Sequence, residues 1–319
     1  MHKKALIITY YWPPAGGPGV QRWLKFVKYL KEFDVEPIVY IPENPNYPII
    51  DQSLVNEVPE DITIIKQPIK EPYGIANIFA KKNSQTISKG IIPEQKKQSF
   101  EEKILLYIRG NFFIPDARKN WVKPSVVYLS KYISDNNIDT IITTGPPHSL
   151  HLIGLELKQR LGVKWLADFR DPWTTVYYNK FFPRTASTER KDKSMEDEVL
   201  SHADAVVAVS PTLGAEFKDR AKRLEVIYNG FDHEDIPEAD KETSESFTME
   251  YIGNLKPNQN PDSLWVALGE LINEQEDFRA SFKLNLTGNI DKYLADDLSG
   301  KYGLDPILHI IPYVAHKEA

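Results

Sequence analysis

The sequence predicts an α/β protein made of two doubly wound parallel-sheet domains, the second cut short at residue 319. Three observations carry this expectation. Short apolar runs alternate with amphipathic segments along the chain, the rhythm of parallel strands joined by crossover helices. The 319 residues exceed the ~100–200 of a usual single core. A polar, acidic stretch, 231–246, interrupts the alternation, and a fresh round begins at Phe247. The expected organisation is a first domain over 1–232, a linker over 233–246 and a partial second domain over 247–319.

Taken in order, Ala5–Tyr11 is a short apolar run, expected to be a buried parallel strand. Val20–Phe33 follows with Trp23, Phe26, Val27 and Leu30 on one helical face. Pro37–Ile41 and Ile62–Lys66 read as strands. Residues 70–120 break the rhythm with a Pro- and Lys-bearing insertion around one amphipathic piece, Phe100–Ile108. Trp121–Ile133 is expected to be helical. Strands at Thr140–Thr144, Lys164–Phe169, Ala205–Ser210 and Glu225–Tyr228 alternate with helices at Ser149–Leu161 and Thr188–Leu200. The second round supplies strands at Thr248–Ile252, Phe282–Leu286 and Leu308–Ile311 and a helix at Ser263–Asn273. Half a doubly wound sheet does not bury both faces of its strands, so the natural chain is expected to continue past Ala319.

Composition narrows the functional classes. The chain has no cysteine, which excludes disulfides, thiolate metal sites and a cysteine nucleophile, and fits a reducing compartment such as the cytoplasm. No segment reaches the ~20 apolar residues of a membrane span, and the N-terminal apolar run is too short for a signal peptide. The net charge of −6 hides an asymmetry: Lys66–Lys131 holds 13 Lys/Arg against 5 Asp/Glu. Such a run is either a solvated face or an attraction to an anionic surface or phosphorylated acceptor. No helix-turn-helix, zinc-finger or RNP pattern accompanies it, which disfavours nucleic acid. Its lysines at 81, 82, 89, 96, 97 and 103 interleave with apolar residues, a pattern suited to the face of an anionic membrane.

Between the first strand and the first helix lies Pro13-Pro14-Ala15-Gly16-Gly17-Pro18-Gly19-Val20-Gln21-Arg22. Glycines let a backbone approach a ligand, and the following helix N-terminus suits an anion. Three readings stand. Gly17-x-Gly19 fits the start of a dinucleotide fingerprint, but Arg22 occupies the third glycine's place, which weakens a nicotinamide site. A tight turn without a ligand is the second. The third, favoured, is a loop of Gly16, Gly17 and Gly19 facing a phosphorylated or polyhydroxyl ligand, with Arg22 as a phosphate contact.

Six stretches in sequence order, the loop and five further motifs, resemble the family-4 glycosyltransferases of GT-B architecture. They are this loop, Thr144–Ser149 (TGPPHS), Trp165–Trp173 (WLADFRDPW), Ala205–Pro211 (AVVAVSP) followed by Val226–Asp232 (VIYNGFD), and Tyr251–Leu255 (YIGNL). The resemblance spans essentially the whole chain. It implies two Rossmann-like domains, with acceptor on the first and nucleotide sugar on the second. It implies a retaining hexosyltransferase-like enzyme of cell-surface polysaccharide biosynthesis, peripheral at the inner membrane face, needing neither cofactor nor metal, with a glycan or lipid-linked acceptor. Where the family carries a catalytic His, this sequence has Arg170 followed by Asp171. The polar role then falls to Asp168, Asp171 or His148. His148 also reads as a packing or capping residue, and Arg170–Asp171 as an internal ion pair. On the donor side Gly253, Asn254 and Lys256 are the candidates. The family's glutamate pair, spaced E-x7-E, is expected outside this chain, and 1–319 alone is expected to be inactive. The rivals are a catalytically silent sugar-binding or partner module and an NAD-dependent oxidoreductase.

Overall fold

The computed structural model describes residues 3–71, 100–236, 246–315 and 318. Most of the basic insertion, including Lys81, Lys82, Lys89, Lys96 and Lys97, and most of the expected linker lie outside the described residues. The chain divides into two compact units, Met1–Phe231 and Asp232–Ala319.

The first unit is built on seven parallel strands: β1 (Lys3–Ile8), β2 (Val35–Pro42), β3 (Thr63–Gln67), β4 (Thr140–Gly145), β5 (Lys164–Phe169), β6 (Ala205–Ala208) and β7 (Leu224–Val226). Their order is β3-β2-β1-β4-β5-β6-β7. Direction of winding reverses between β1 and β4, the place where open α/β sheets hold ligands beyond their strand carboxyl ends.

Alternation along β1 and β2 sends side chains to two separate cores. Leu6, Ile8, Ile38 and Tyr40 meet Val126 and Leu129 of α3 (Val122–Asp135) and Ile153 and Leu157 of α4 (Ser149–Leu161). Ala5, Ile7, Val39 and Ile41 meet Val20, Trp23, Leu24 and Val27 of α1 (Pro18–Leu30). Each of the larger side chains contributes about 1.5–3 kcal/mol by leaving water. Pro18 opens α1 at a position whose N–H needs no partner. Helices α2 (Phe100–Phe112), α5 (Ala186–His202) and α6 (Pro211–Phe217) complete the unit.

The second unit is a parallel sheet of β8 (Phe247–Leu255), β9 (Phe282–Ile290) and β10 (Leu308–Ile311) in the order β10-β9-β8. Helices α7 (Asp262–Glu274), α8 (Glu276–Ser281) and α9 (Lys292–Gly300) accompany it. Trp265, Leu268 and Ile272 pack with Leu284, Leu286, Leu294 and Leu298. Several strand boundaries differ from expectation, and that of β8 bears on the site. β8 runs on through Gly253 and Asn254, which pair with Gly288 and Asn289 of β9, where the sequence suggests a loop after Ile252. The paired glycines explain this: a Cβ on Gly288 would stand 2.2 Å from the Gly253 carbonyl oxygen, so two glycines let the strands continue side by side.

Candidate functional site

The glycine loop is held chiefly by main chain. Gly16 N–H donates to the Ile49 carbonyl at 3.0 Å, Asp51 N–H to the Pro14 carbonyl at 2.8 Å, and Ala15 bridges to Ile50. Gly17 takes φ +100°, open to glycine and strained for other residues. Gly19 has a different reason. A Cβ there would fall 1.9 Å from Nη1 of Arg170, so the loop backbone lies directly against that guanidinium.

Beneath it is a closed polar knot. Asp168, at the end of β5, is 1% exposed and accepts from four donors. These are Arg22 Nη2 at 2.8 Å and Nε at 3.3 Å, Trp23 Nε1 at 2.8 Å and Thr144 Oγ1 at 2.8 Å. Register places Thr144 beside Asp168 across β4–β5, and α1 delivers Arg22 and Trp23 from its buried side. Arg22 Nη1 donates to the Tyr228 carbonyl at 3.0 Å and to Asn229 Oδ1 at 3.2 Å. Arg22 is therefore engaged within the protein rather than turned to a phosphate. Three of these donors meet Asp168 Oδ2 and one meets Oδ1, so the carboxylate is held inside the protein.

Arg170 stands one pleat further along. Its backbone N–H donates to the Gly145 carbonyl at 3.0 Å and its Nη2 donates to the Pro146 carbonyl. Its buried Nε has no partner. Burial pushes this guanidinium below its ordinary value. The carboxylates of Asp168 and Asp171 and the Tyr11 hydroxyl oppose that shift, and Arg22 adds to it. Asp171 beside it is exposed.

His148 is buried at the N-terminus of α4, stacked on Trp173 with ring centroids 5.1 Å apart. Its Nε2 lies 3.1 Å from the Pro172 carbonyl, an acceptor only, so Nε2 carries the proton and the buried Nδ1 is left without a partner. Burial lowers its pKa, against Asp116 and Asp171, and keeps the ring neutral. A neutral ring with a bare Nδ1 has the chemistry of a base, but it is sealed. The cavity beside it, lined by Asp116, Pro146, Trp173 and Tyr178, holds about 50 Å³, well short of the ~300 Å³ of a small-ligand pocket.

Three carboxylates that shape this region are not singled out by the sequence reading. Asp116 accepts from Ser149 N–H at 2.8 Å and Ser149 Oγ at 2.9 Å, capping α4. On α5, Asp192 accepts from Trp173 Nε1 at 2.8 Å and Arg184 Nη1 at 2.7 Å. Glu196 accepts from Thr174 N–H at 3.1 Å and Arg220 Nη1 at 2.5 Å. Asp192 and Glu196 together pin the segment that follows Arg170–Asp171. For the two acids of α5 the available signal is spacing: Thr188, Asp192 and Glu196 fall on one helical stripe with Val199, so the stripe is buried and its acids need donors.

In the second unit, Asn254 Oδ1 accepts from Asn289 Nδ2 at 3.0 Å, and its carbonyl accepts from Tyr251 Oη at 3.1 Å. Lys256 N–H donates weakly to Gln259 Oε1 at 3.4 Å. Gly253 lies within the strand at φ +151°.

Residues 90–235 match the profile described as Glycosyltransferase Family 4. No curated protein sequence matches the chain. Among solved structures the chain is similar to Anabaena HepE in complex with UDP and glucose. Identity is 13% and the TM-score 0.54, covering 99% of this chain and 70% of that one. Sucrose-phosphate synthase from Thermosynechococcus elongatus gives 14% and 0.56, covering 99% and 72%. A point mutant of S. aureus TarM in complex with fondaparinux, α-GlcNAc-glycerol and UDP gives 11% and 0.57, covering 98% and 78%. No helix among the described residues is long and apolar enough to cross a membrane. Residues 90–235 are thus similar to glycosyltransferase family 4, and the chain has the fold of the GT-B glycosyltransferases.

Proposed function

We propose that this protein transfers a sugar from a nucleotide-sugar donor to a glycan or lipid-linked acceptor in cell-surface polysaccharide synthesis, with retention of configuration and no resident cofactor or metal. The observation that carries the reading is the half-buried Arg170 guanidinium, set against the Gly19 backbone at the reversal point of the sheet, with its Nε unpartnered. In such a transfer the bond from the sugar's anomeric carbon to the diphosphate breaks, and the diphosphate keeps the electron pair. A bond from the acceptor oxygen to that carbon forms, and the acceptor loses its proton. The physical task is to stabilise charge growing on the leaving phosphate while the acceptor is held close. Arg170 suits that task, and exposed Asp171 suits the taking of a proton. On the second unit Gly253, Asn254 and Lys256 are the proposed donor contacts. The printed partners of the similar structures, UDP with glucose and UDP with fondaparinux, support a nucleotide-sugar donor and a glycan acceptor.

A second reading, a sugar-binding module without turnover, draws on Asp168, which is buried among donors of the protein itself, and on His148, whose bare nitrogen is sealed. One experiment separates them. The protein is titrated with UDP and UDP-sugars by calorimetry and then assayed for release of UDP in the presence of glycan and lipid-linked acceptors. Binding with turnover that Arg170→Ala lowers about 10²–10³-fold supports transfer. Binding without turnover supports the module, and no nucleotide binding rejects both donor claims.

A further inference from the structure

Two buried histidines at the start of α4 face each other with complementary needs. Trp165 Nε1 donates to Thr143 Oγ1 at 2.9 Å, and Thr143 Oγ1 lies 2.8 Å from His151 Nδ1. An indole N–H only donates, so Thr143 accepts from Trp165, and its own hydroxyl hydrogen needs an acceptor. Among the described residues His151 Nδ1 is the acceptor it meets. His151 therefore carries its proton on Nε2, and among the described residues that buried N–H has no partner. Three residues earlier the opposite holds. His148 Nε2 donates to the Pro172 carbonyl, and its buried Nδ1 is an acceptor without a donor.

Both unpartnered nitrogens converge on Gly145, the last residue of β4. A Cβ there would stand 2.6 Å from His151 Nε2 and 2.9 Å from His148 Nδ1, so a side chain would wedge the rings apart and glycine lets them approach. Ring centroids 5.9 Å apart put the two nitrogens just short of contact, a gap that a small swing of one ring or a single water closes. Burial and the charge of Arg170 keep both rings neutral, while Asp116 and Asp171 pull the other way at His148. Neutral rings suit the match, because a proton on His148 Nδ1 would set two donors face to face.

The rings also hold the segment that carries Arg170 and Asp171. His151 stacks on Phe169 with centroids 4.2 Å apart, His148 stacks on Trp173 at 5.1 Å, and Pro172 accepts the His148 proton. The residue before Arg170–Asp171 and the two residues after it thus rest on these histidines. Arg170 Nη2 ties the same segment to the Pro146 carbonyl.

We propose that His151 Nε2–H donates to His148 Nδ1, directly or through one water. This completes a one-way chain from Trp165 through Thr143, His151 and His148 to the Pro172 carbonyl, and makes both histidines positioning residues for Arg170 and Asp171. The bond is independent of the transfer reading, and the positioning role rests on it.

The bond is tested by nitrogen NMR of the whole, unsubstituted protein labelled with ¹⁵N-histidine, its ring signals assigned through couplings to the backbone. At neutral pH both rings are Nε2–H tautomers, and His148 Nδ1 lies upfield of a free pyridine-type nitrogen because it accepts a bond. An Nδ1–H tautomer at His151, a protonated His148 or a free-type His148 Nδ1 overturns the proposal. His151→Phe keeps a stacked ring and removes the N–H, so His148 Nδ1 moves to the free value. His151→Gln, which restores a donor at the ε position, moves it back. If either variant fails to fold, the tautomers of the unsubstituted protein still decide the bond. In the transfer assay, His151→Phe lowers kcat about tenfold at unchanged KM for the UDP-sugar, short of the ~10²-fold that a full ångström of misplacement costs, and His151→Gln recovers it. Native kcat in His151→Phe overturns the positioning role and leaves the transfer reading standing. No turnover in the unsubstituted protein removes the transfer reading and the positioning role together, and leaves the bond to the tautomers.

Discussion

Two charged residues at the end of β5, Asp168 and Arg170, face the same region and live in opposite conditions. Asp168 meets four donors and is sealed. Arg170, two residues on, has a glycine backbone against its guanidinium and a buried Nε without an acceptor. Saturation marks a group that holds the fold, and deficit marks one that awaits a partner. The contrast matters because the sequence offers both as equal members of one Asp-Phe-Arg-Asp motif.

The largest expected effect breaks the saturated side. Asp168→Ala leaves Arg22 charged and buried, and should cost about 3–5 kcal/mol of stability, read from urea unfolding. Arg22→Ala should cost a similar amount, and the double variant much less than the sum of the two. A small, additive effect would mean that the knot is not a unit. Next comes the deficient side. Arg170→Ala should lower turnover about 10²–10³-fold, the scale for loss of a positioned charge. Its stability should stay near native, since a poorly solvated cation is removed. A melting temperature that collapsed with activity would make Arg170 structural, like Asp168.

Glu196 tests the support behind them at about 1–3 kcal/mol. Burial works against its charge, but hydrogen bonds from Arg220, Thr174 N–H and Lys193 hold its pKa below 4.5. Its stabilisation is thus present above the unfolded value and lost as pH falls through the folded one. The penalty of Glu196→Gln, measured by urea midpoints, should be full at neutral pH and fade below 4.5. The smallest effect concerns the buried histidines. Burial holds His151 well below 6.5, and His148 adds to the shift. Below 6.5 the unfolded chain binds a proton that the folded chain refuses, so stability should decline as pH falls from there. His151→Phe should flatten that slope, and an unchanged slope would locate the titration elsewhere.

The sheets are more legible in the sequence than the site. β5 and β10 occupy the expected residues because both are short, mainly apolar runs with clear breaks. β8 reads short because Gly253 and Asn254 look like a turn, and only the facing Gly288 and Asn289 show that they pair. Helix α9 leaves no trace in the pattern: its nine residues bury just Leu294 and Leu298, too few to display a period. At the site, position along the chain is legible and partnership is not. Arg22 and Asp168 lie 146 residues apart, and nothing local to either announces the other. The sequence therefore offers Arg22 to a ligand when its donors belong to the protein. Conversely, the carboxylates of α5 read as those of an ordinary polar helix, since burial of Asp192 and Glu196 depends on Trp173 and Thr174 from a distant turn.

The knot around Asp168 also bears on descent. Arg22, Trp23, Thr144, Asp168 and Asn229 come from four separate stretches of sequence, yet each supplies a bond that another requires. A lineage that replaced the carboxylate alone would strand a guanidinium in the interior, and one that replaced the guanidinium alone would strand a carboxylate. Such residues drift together or stay put. Among related sequences, these positions are therefore expected to change as a correlated block, while Arg170, which owes the interior little, is free to be exchanged as the chemistry at the strand end changes.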